Sequence, residues 1–252
     1  MVETGAIMIF RHAGRDNFED FAAGRVLLHA PGLSHFPVRL SCEIFARCLE
    51  LFPAERKIRL YDPCCGSGYT LAVLGFHFPE RLLSLSGSDI DPEAVDLARQ
   101  NLSLLSEQGL AARMAKIRDM LDAYGKESHK GALESAERLL EKVRAFEEPL
   151  SVLIFQADLM NTEIPARFVP DGLMADIVFA DVPHNRLVGW KGTEGMEGNR
   201  MDALLESVSP MLAPGGIVVL ASDKGQRATH ADWRRVEKIV SGKRRIEILT
   251  RA

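Results

Sequence analysis

Asp62 and Asp89, together with Gly66 and Gly68, have the residue types and spacing to hold a nucleoside. The run Asp62-Pro63-Cys64-Cys65-Gly66-Ser67-Gly68-Tyr69 follows the apolar segment Ile58-Arg59-Leu60-Tyr61. Glycines at such a strand-to-helix turn let the backbone come close to a ligand. A Gly-x-Gly alone says little, and Asp89 sharpens it: it lies about 20 residues past the glycines, where a carboxylate can accept both hydroxyls of a ribose. Asp91-Pro92 reads as an N-cap followed by the first helical residue. Dinucleotide sites use a third glycine where this chain has Leu71, and Asp62 would repel a pyrophosphate. The same acid suits the amino group and sulfonium of S-adenosylmethionine. Asp158, past the apolar run Val152–Phe155, either accepts a hydrogen bond from an adenine amino group or is a simple turn aspartate. The expected donor site is therefore Asp62, Cys64, Gly66, Gly68, Asp89 and Asp158.

A second constellation is Ala180-Asp181-Val182-Pro183-His184-Asn185, directly after Ile177-Val178-Phe179. A carboxylate at a strand end, followed by a proline-fixed turn, can orient an amine or ring nitrogen. The segment resembles the D/N-P-P-Y acceptor motif of nitrogen methyltransferases, with Val182 and His184 replacing the first proline and the aromatic. Asp181, Pro183 and His184 are the expected catalytic residues: Asp181 orients the nitrogen or takes its proton, and His184 stacks on the base or assists. From Arg186 to Arg200 the chain is rich in glycine and too long for an ordinary connection. Asn185, Arg186, Trp190 and Lys191 are the candidate substrate contacts, Trp190 stacking on a base and Lys191 meeting phosphate. Trp190 packing on the domain is the alternative.

The elements that must position these groups alternate between strand and helix. Strands are predicted at 58–62, 82–89, 151–155, 175–180 and 217–222, with helices at 39–52, 70–78, 92–105 and 201–212. Such alternation predicts an α/β fold with a doubly wound, mostly parallel sheet and ligands at the strands' carboxyl ends. Ile246, Ile248 and Leu249 suggest a closing edge strand, whose neighbours Arg234, Arg235, Lys238, Lys243, Arg244, Arg245 and Arg251 make the C-terminus the most basic segment. Residues 107–148 interrupt the rhythm as an inserted helical pair. Its basic residues, Arg113, Lys116, Arg118, Lys126, Lys130 and Arg138 among them, alternate with acids, as on a solvated, salt-bridged surface. RNA contact is the other reading of that surface.

At 252 residues, one domain (1–252) is expected, with 1–57 as an N-terminal extension. A hydrophobic fraction of 46% with 26% charged residues excludes disorder, and no apolar run is long enough for a membrane span or a signal peptide. The protein is expected in the cytoplasm. A net charge of -4 gives no global attraction to nucleic acid, so any RNA contact must be local. Cys42, Cys48, Cys64 and Cys65 lack zinc-site spacing, so no metal is implied and the thiols are read as reduced and structural.

Both motifs together resemble the AviRa family, avilamycin-resistance methyltransferases that modify a guanine of large-subunit ribosomal RNA. The likeness spans most of the chain. It is carried by Phe36-Pro37-Val38-Arg39-Leu40, Asp62 to Tyr69, Ser88-Asp89-Ile90-Asp91-Pro92, Asn101-Leu102 with Leu104-Leu105-Ser106, and Gly125-Lys126. The resemblance implies a Rossmann-like class I methyltransferase fold, S-adenosylmethionine as donor, rRNA as partner, and Arg39 close to the cofactor. The family's acceptor pattern resembles Asp-Leu-Pro-Tyr-Gly, where this chain has Asp181-Val182-Pro183-His184-Asn185. Three other functions compete: nitrogen methylation of a protein or small amine, a non-catalytic nucleoside- or RNA-binding relative, and, more distantly, a nicotinamide oxidoreductase. A monomer is favoured.

Overall fold

The computed structural model of the protein describes residues 8–30, 35–160, 174–182 and 199–252. Strands β1 (Ile58–Asp62), β2 (Leu82–Asp89), β3 (Ser151–Gln156), β4 (Ala175–Asp181) and β5 (Leu212–Asp223) are parallel. With β6 (Trp233–Ser241) and β7 (Arg244–Arg251) they form one seven-stranded sheet, ordered β3-β2-β1-β4-β5-β7-β6. Strand β7 alone runs opposite to the other six, antiparallel to both β5 and β6. The order turns back between β1 and β4, which opens a crevice at the carboxyl ends of β2, β1 and β4. Asp89, Asp62 and Asp181 are the last residues of those three adjacent strands.

Residues 177–180 of β4 and 217–221 of β5 are buried and read as unbroken apolar runs, as strands covered on both faces do. On β4, Ile177 and Phe179 join the core beneath helices α1 (Val38–Leu49), α2 (Tyr69–His77) and α3 (Pro92–Ser103), whereas Val178 and Ala180 face α6 (Arg200–Val208) through Leu204, Leu205 and Val208. The insertion is a helical pair, α4 (Glu107–Tyr124) and α5 (Glu127–Arg144). Several of its cations are spent internally. The Arg113 guanidinium donates to the carbonyls of Val26 and Arg25, Arg138 pairs with Asp20, and Arg144 with Glu107. No helix among the described residues is long and apolar enough to cross a membrane.

The C-terminal elements differ from the sequence expectation. Strand β5 begins at Leu212, five residues ahead of Ile217, because Pro214 and Gly215 sit exposed next to a register shift where the ladder needs no donor from them. Strand β7 is not an edge: it lies between β5 and β6, and β6 closes the sheet. That strand escapes sequence reading because most of it is exposed or half-buried and a bulge between Arg235 and Glu237 breaks its alternation.

Candidate functional site

The turn after β1 is built from its own side chains. The buried Asp62 carboxylate accepts the Cys64 N–H at 3.0 Å, Cys65 N–H donates to the Ser88 carbonyl at 2.9 Å, and Gly66 N–H donates to Asp89 Oδ2 at 2.9 Å. Gly66 and Gly68 have φ of 51° and 67°, in the left-handed region that favours glycine. They differ in surroundings. A Cβ on Gly68 would lie 2.6 Å from Leu102 Cδ2 and 3.1 Å from Ala98 Cα, whereas one on Gly66 would meet nothing within 4 Å. Gly68 thus lets α3 pack against the start of α2, and Gly66 faces open space that a ligand can enter. Leu71, at the third-glycine position of dinucleotide sites, is accommodated by Gly87 of β2, whose own Cβ would lie 2.8 Å from Leu71 Cδ1.

Four carboxylates surround this turn. Burial holds the Asp62 carboxyl well above the usual range, and the charges of Asp181 and Asp89 push it further the same way. Burial likewise raises the Cys64 thiol, with Asp62, Asp89, Asp181 and Asp158 all adding to the shift. Asp89 accepts N–H bonds from Gly66 and Asp91 while burial raises it too. Each of its oxygens keeps capacity for another donor such as a ribose hydroxyl. Asp158 Oδ1 accepts the Met160 N–H at 3.0 Å, so it is a turn aspartate that also stands near the other three. Asp91 caps α3 through the Glu93 N–H, as its spacing to Pro92 implies. Such a cluster repels a pyrophosphate and attracts a cation bearing N–H and O–H donors. The aminoacyl sulfonium and ribose of S-adenosylmethionine match that donor set.

Asp181 receives a hydrogen bond from Arg244 Nη1 at 2.9 Å, both side chains being largely buried, and the Arg244 guanidinium lies 5.0 Å from the Phe36 ring centroid. Sequence reasoning missed this partner, counting Arg244 only as one more charge in a basic tail. It also gave no role to Asn101, whose side-chain amide donates to the carbonyls of Ser67 and Leu28 and whose Oδ1 accepts the Leu28 N–H at 2.7 Å. A polar residue within the buried stripe Ala94, Ala98, Leu102 was the available signal. Asn101 ties the turn after β1 to the N-terminal segment, which is also held by the Tyr69 hydroxyl donating to the Phe21 carbonyl. Arg39 donates to the Ala13 carbonyl and stacks over Phe10 at 3.7 Å. Pro183, His184, Asn185, Arg186, Trp190 and Lys191 lie outside the described residues. Among those described, no three His, Cys, Asp or Glu side chains gather as a metal ion would need.

Comparison with known proteins gives a consistent picture. The model of the family described as "rRNA methyltransferase AviRa" matches residues 8–244. The chain is 36% identical over 236 residues to a 23S rRNA (guanine(2535)-N(1))-methyltransferase of Streptomyces viridochromogenes, covering 93% of each. Two crystal structures of the rRNA methyltransferase aviRa of Streptomyces viridochromogenes superpose on it with TM-scores of 0.84 and 0.83, at 33% and 34% identity, each covering 96% of both chains.

Proposed function

Because the chain belongs to the AviRa family of rRNA methyltransferases, we propose that it methylates N1 of a guanine in large-subunit ribosomal RNA, with S-adenosylmethionine as the donor. The observation that carries the reading is the placement of Asp181, at the end of β4, beside the acidic turn that ends β1. Asp62 and Asp158 would hold the cationic and adenine ends of the donor, Asp89 its ribose, and Gly66 would let it lie against the backbone. When bound, the donor supplies an electrophilic methyl group on a sulfonium.

The chain's own part is alignment and proton handling. Guanine N1 carries a hydrogen that must leave as the nitrogen gains a methyl group, and the proposed acceptor of that proton is the Asp181 carboxylate. Arg244 fixes the direction of that carboxylate, which favours a productive approach of the nitrogen. The base must be out of any stack to enter the crevice, so an unpaired or irregular segment of rRNA is the expected target. His184 and Trp190 are the proposed stacking partners, Asn185, Arg186 and Lys191 the contacts to the remainder of the nucleotide, and Pro183 the residue that fixes the turn.

The test is transfer of labelled methyl from S-adenosylmethionine into deproteinised large-subunit rRNA, with ribosomal protein as the competing acceptor. Label in a guanine N1 of the RNA is expected. Asp181→Ala should lower the transfer rate by about 100-fold or more while donor affinity changes little. Wild-type rates in that variant would refute the role of Asp181, and label in protein alone would refute the substrate.

A further inference from the structure

Charge around the crevice is divided by strand. The β1–β3 side carries Asp62, Asp89, Asp91 and Asp158, which disfavours a polyanion there. On the β5–β7 side, the loop after β5 and the turn between β6 and β7 expose Lys224, Arg227 and Lys243. None of these three forms an ion pair among the described residues. They share the level of the acceptor corner: Asp181 pairs with Ala221, Asp223 pairs with Arg244, and Lys224 N–H donates to the Lys243 carbonyl at 3.2 Å. Besides Asp181, the described acids Asp202 and Asp223 stand nearby. Asp202 gives both oxygens to Thr229, at 2.7 and 2.6 Å, and Asp223 is half-buried.

The loop that presents these cations is held in shape. Gln226 N–H donates to the Asp223 carbonyl at 2.9 Å and Gln226 Oε1 accepts the Asp223 N–H at 3.2 Å. The Asn199 amide donates to the Arg227 carbonyl at 2.9 Å and to Thr229 Oγ1 at 3.1 Å, clamping the loop to the start of α6. A fixed backbone reduces the ordering cost of binding. With a net charge of -4 over the whole chain, attraction of RNA has to come from such a local surface.

We propose that Lys224, Arg227 and Lys243 form a phosphate-gripping rim, so that the RNA enters over β5 and β7 and leaves the acidic half of the crevice to the donor. This rests on the rRNA reading above. The test compares wild type with the triple variant Lys224→Ala, Arg227→Ala, Lys243→Ala, all at exposed positions, and with Lys116→Ala, Lys126→Ala on the α4–α5 pair. Binding of deproteinised large-subunit rRNA is followed across a potassium chloride series, with donor affinity measured by calorimetry. Loss of three phosphate contacts should weaken rRNA binding at least about tenfold and reduce the slope of log affinity against log salt by about 2 to 3, with donor affinity unchanged. If wild type binds and methylates rRNA but the triple variant keeps the wild-type slope, or only the α4–α5 variant loses it, the rim is refuted and the proposed function stands. If wild type neither binds nor methylates rRNA, the proposed function falls and the rim falls with it.

Discussion

Asp62 is buried and pairs with no cation among the described residues, and its raised carboxyl is the most informative residue-scale feature. A carboxyl raised in the folded chain favours folding below its unfolded value, and that contribution is lost as pH rises towards the folded value. Ionising Asp62 is therefore disfavoured in the donor-free fold, and a bound sulfonium and ammonium would favour its charged form. Two results are expected. Donor affinity should rise with pH as the Asp62 carboxyl ionises, with proton release visible as calorimetric heats that differ between buffers. Asp62→Asn, which keeps an acceptor for the Cys64 N–H, should weaken donor binding at least about tenfold, equivalent to about 1.4 kcal/mol, without lowering the thermal midpoint of the donor-free protein at pH 7. A lowered midpoint with unchanged affinity would mean that Asp62 is structural. Asp62 and Asp89 were legible from spacing alone, since both positions follow from a strand-turn-helix pattern. The Asp181–Arg244 pair was not, because it exists only once β7 is known to lie beside β5.

At the scale of elements, the two turn glycines separate conformation from packing. Both have positive φ, so alanine at either costs about 1–2 kcal/mol in backbone strain. At Gly68 the new methyl also enters the α2–α3 contact, which adds about 1–3 kcal/mol of overpacking. Gly66→Ala is accordingly expected to fold with a modestly lower melting temperature but weakened donor binding, since its methyl occupies the open space. Gly68→Ala should lose clearly more stability in chemical denaturation, and equal losses would contradict the packing account. Strands β1 and β2 could be read to the residue because each begins on apolar residues, Ile58-Arg59-Leu60-Tyr61 and Leu82-Leu83-Ser84-Leu85, and ends on an aspartate ahead of a turn. Strand β6 could not, since a mostly exposed edge keeps no periodic signal, and the start of β5 was hidden by Pro214 and Gly215, whose types say turn when their ladder position does not. The α4–α5 pair was legible as helices, yet that Arg113 and Arg138 bind the N-terminal segment depends on contacts far apart in sequence.

Over the whole molecule, the N-terminal segment is fastened to α1 and the far edge of the sheet by one buried network, none of whose long-range partners could be read from the chain. The Glu43 carboxylate is fully buried, accepts the N–H groups of Arg11, His12 and Ala13 at 2.8–2.9 Å, and pairs with Arg47 at 2.7 Å; Arg47 in turn reaches the Ile9 carbonyl and Glu237 of β6. Burial alone would raise the Glu43 carboxyl, but three N–H donors and the Arg47 guanidinium outweigh it and hold the group down at about 2. A lowered carboxyl stabilises the fold above its ordinary value of 4.5 and loses that contribution as pH falls towards 2. Wild-type melting temperature should therefore drop steeply across that interval. Glu43→Gln turns an amide donor towards other donors and removes the partner of a buried guanidinium, with an expected loss of about 3–5 kcal/mol at pH 7. Its melting temperature should also fall less than the wild type's between pH 4.5 and 2, because the group that titrates there is gone. Parallel acid curves for the two proteins would place the acid sensitivity elsewhere, whereas converging curves would show that one carboxylate anchors residues 9–13 to α1.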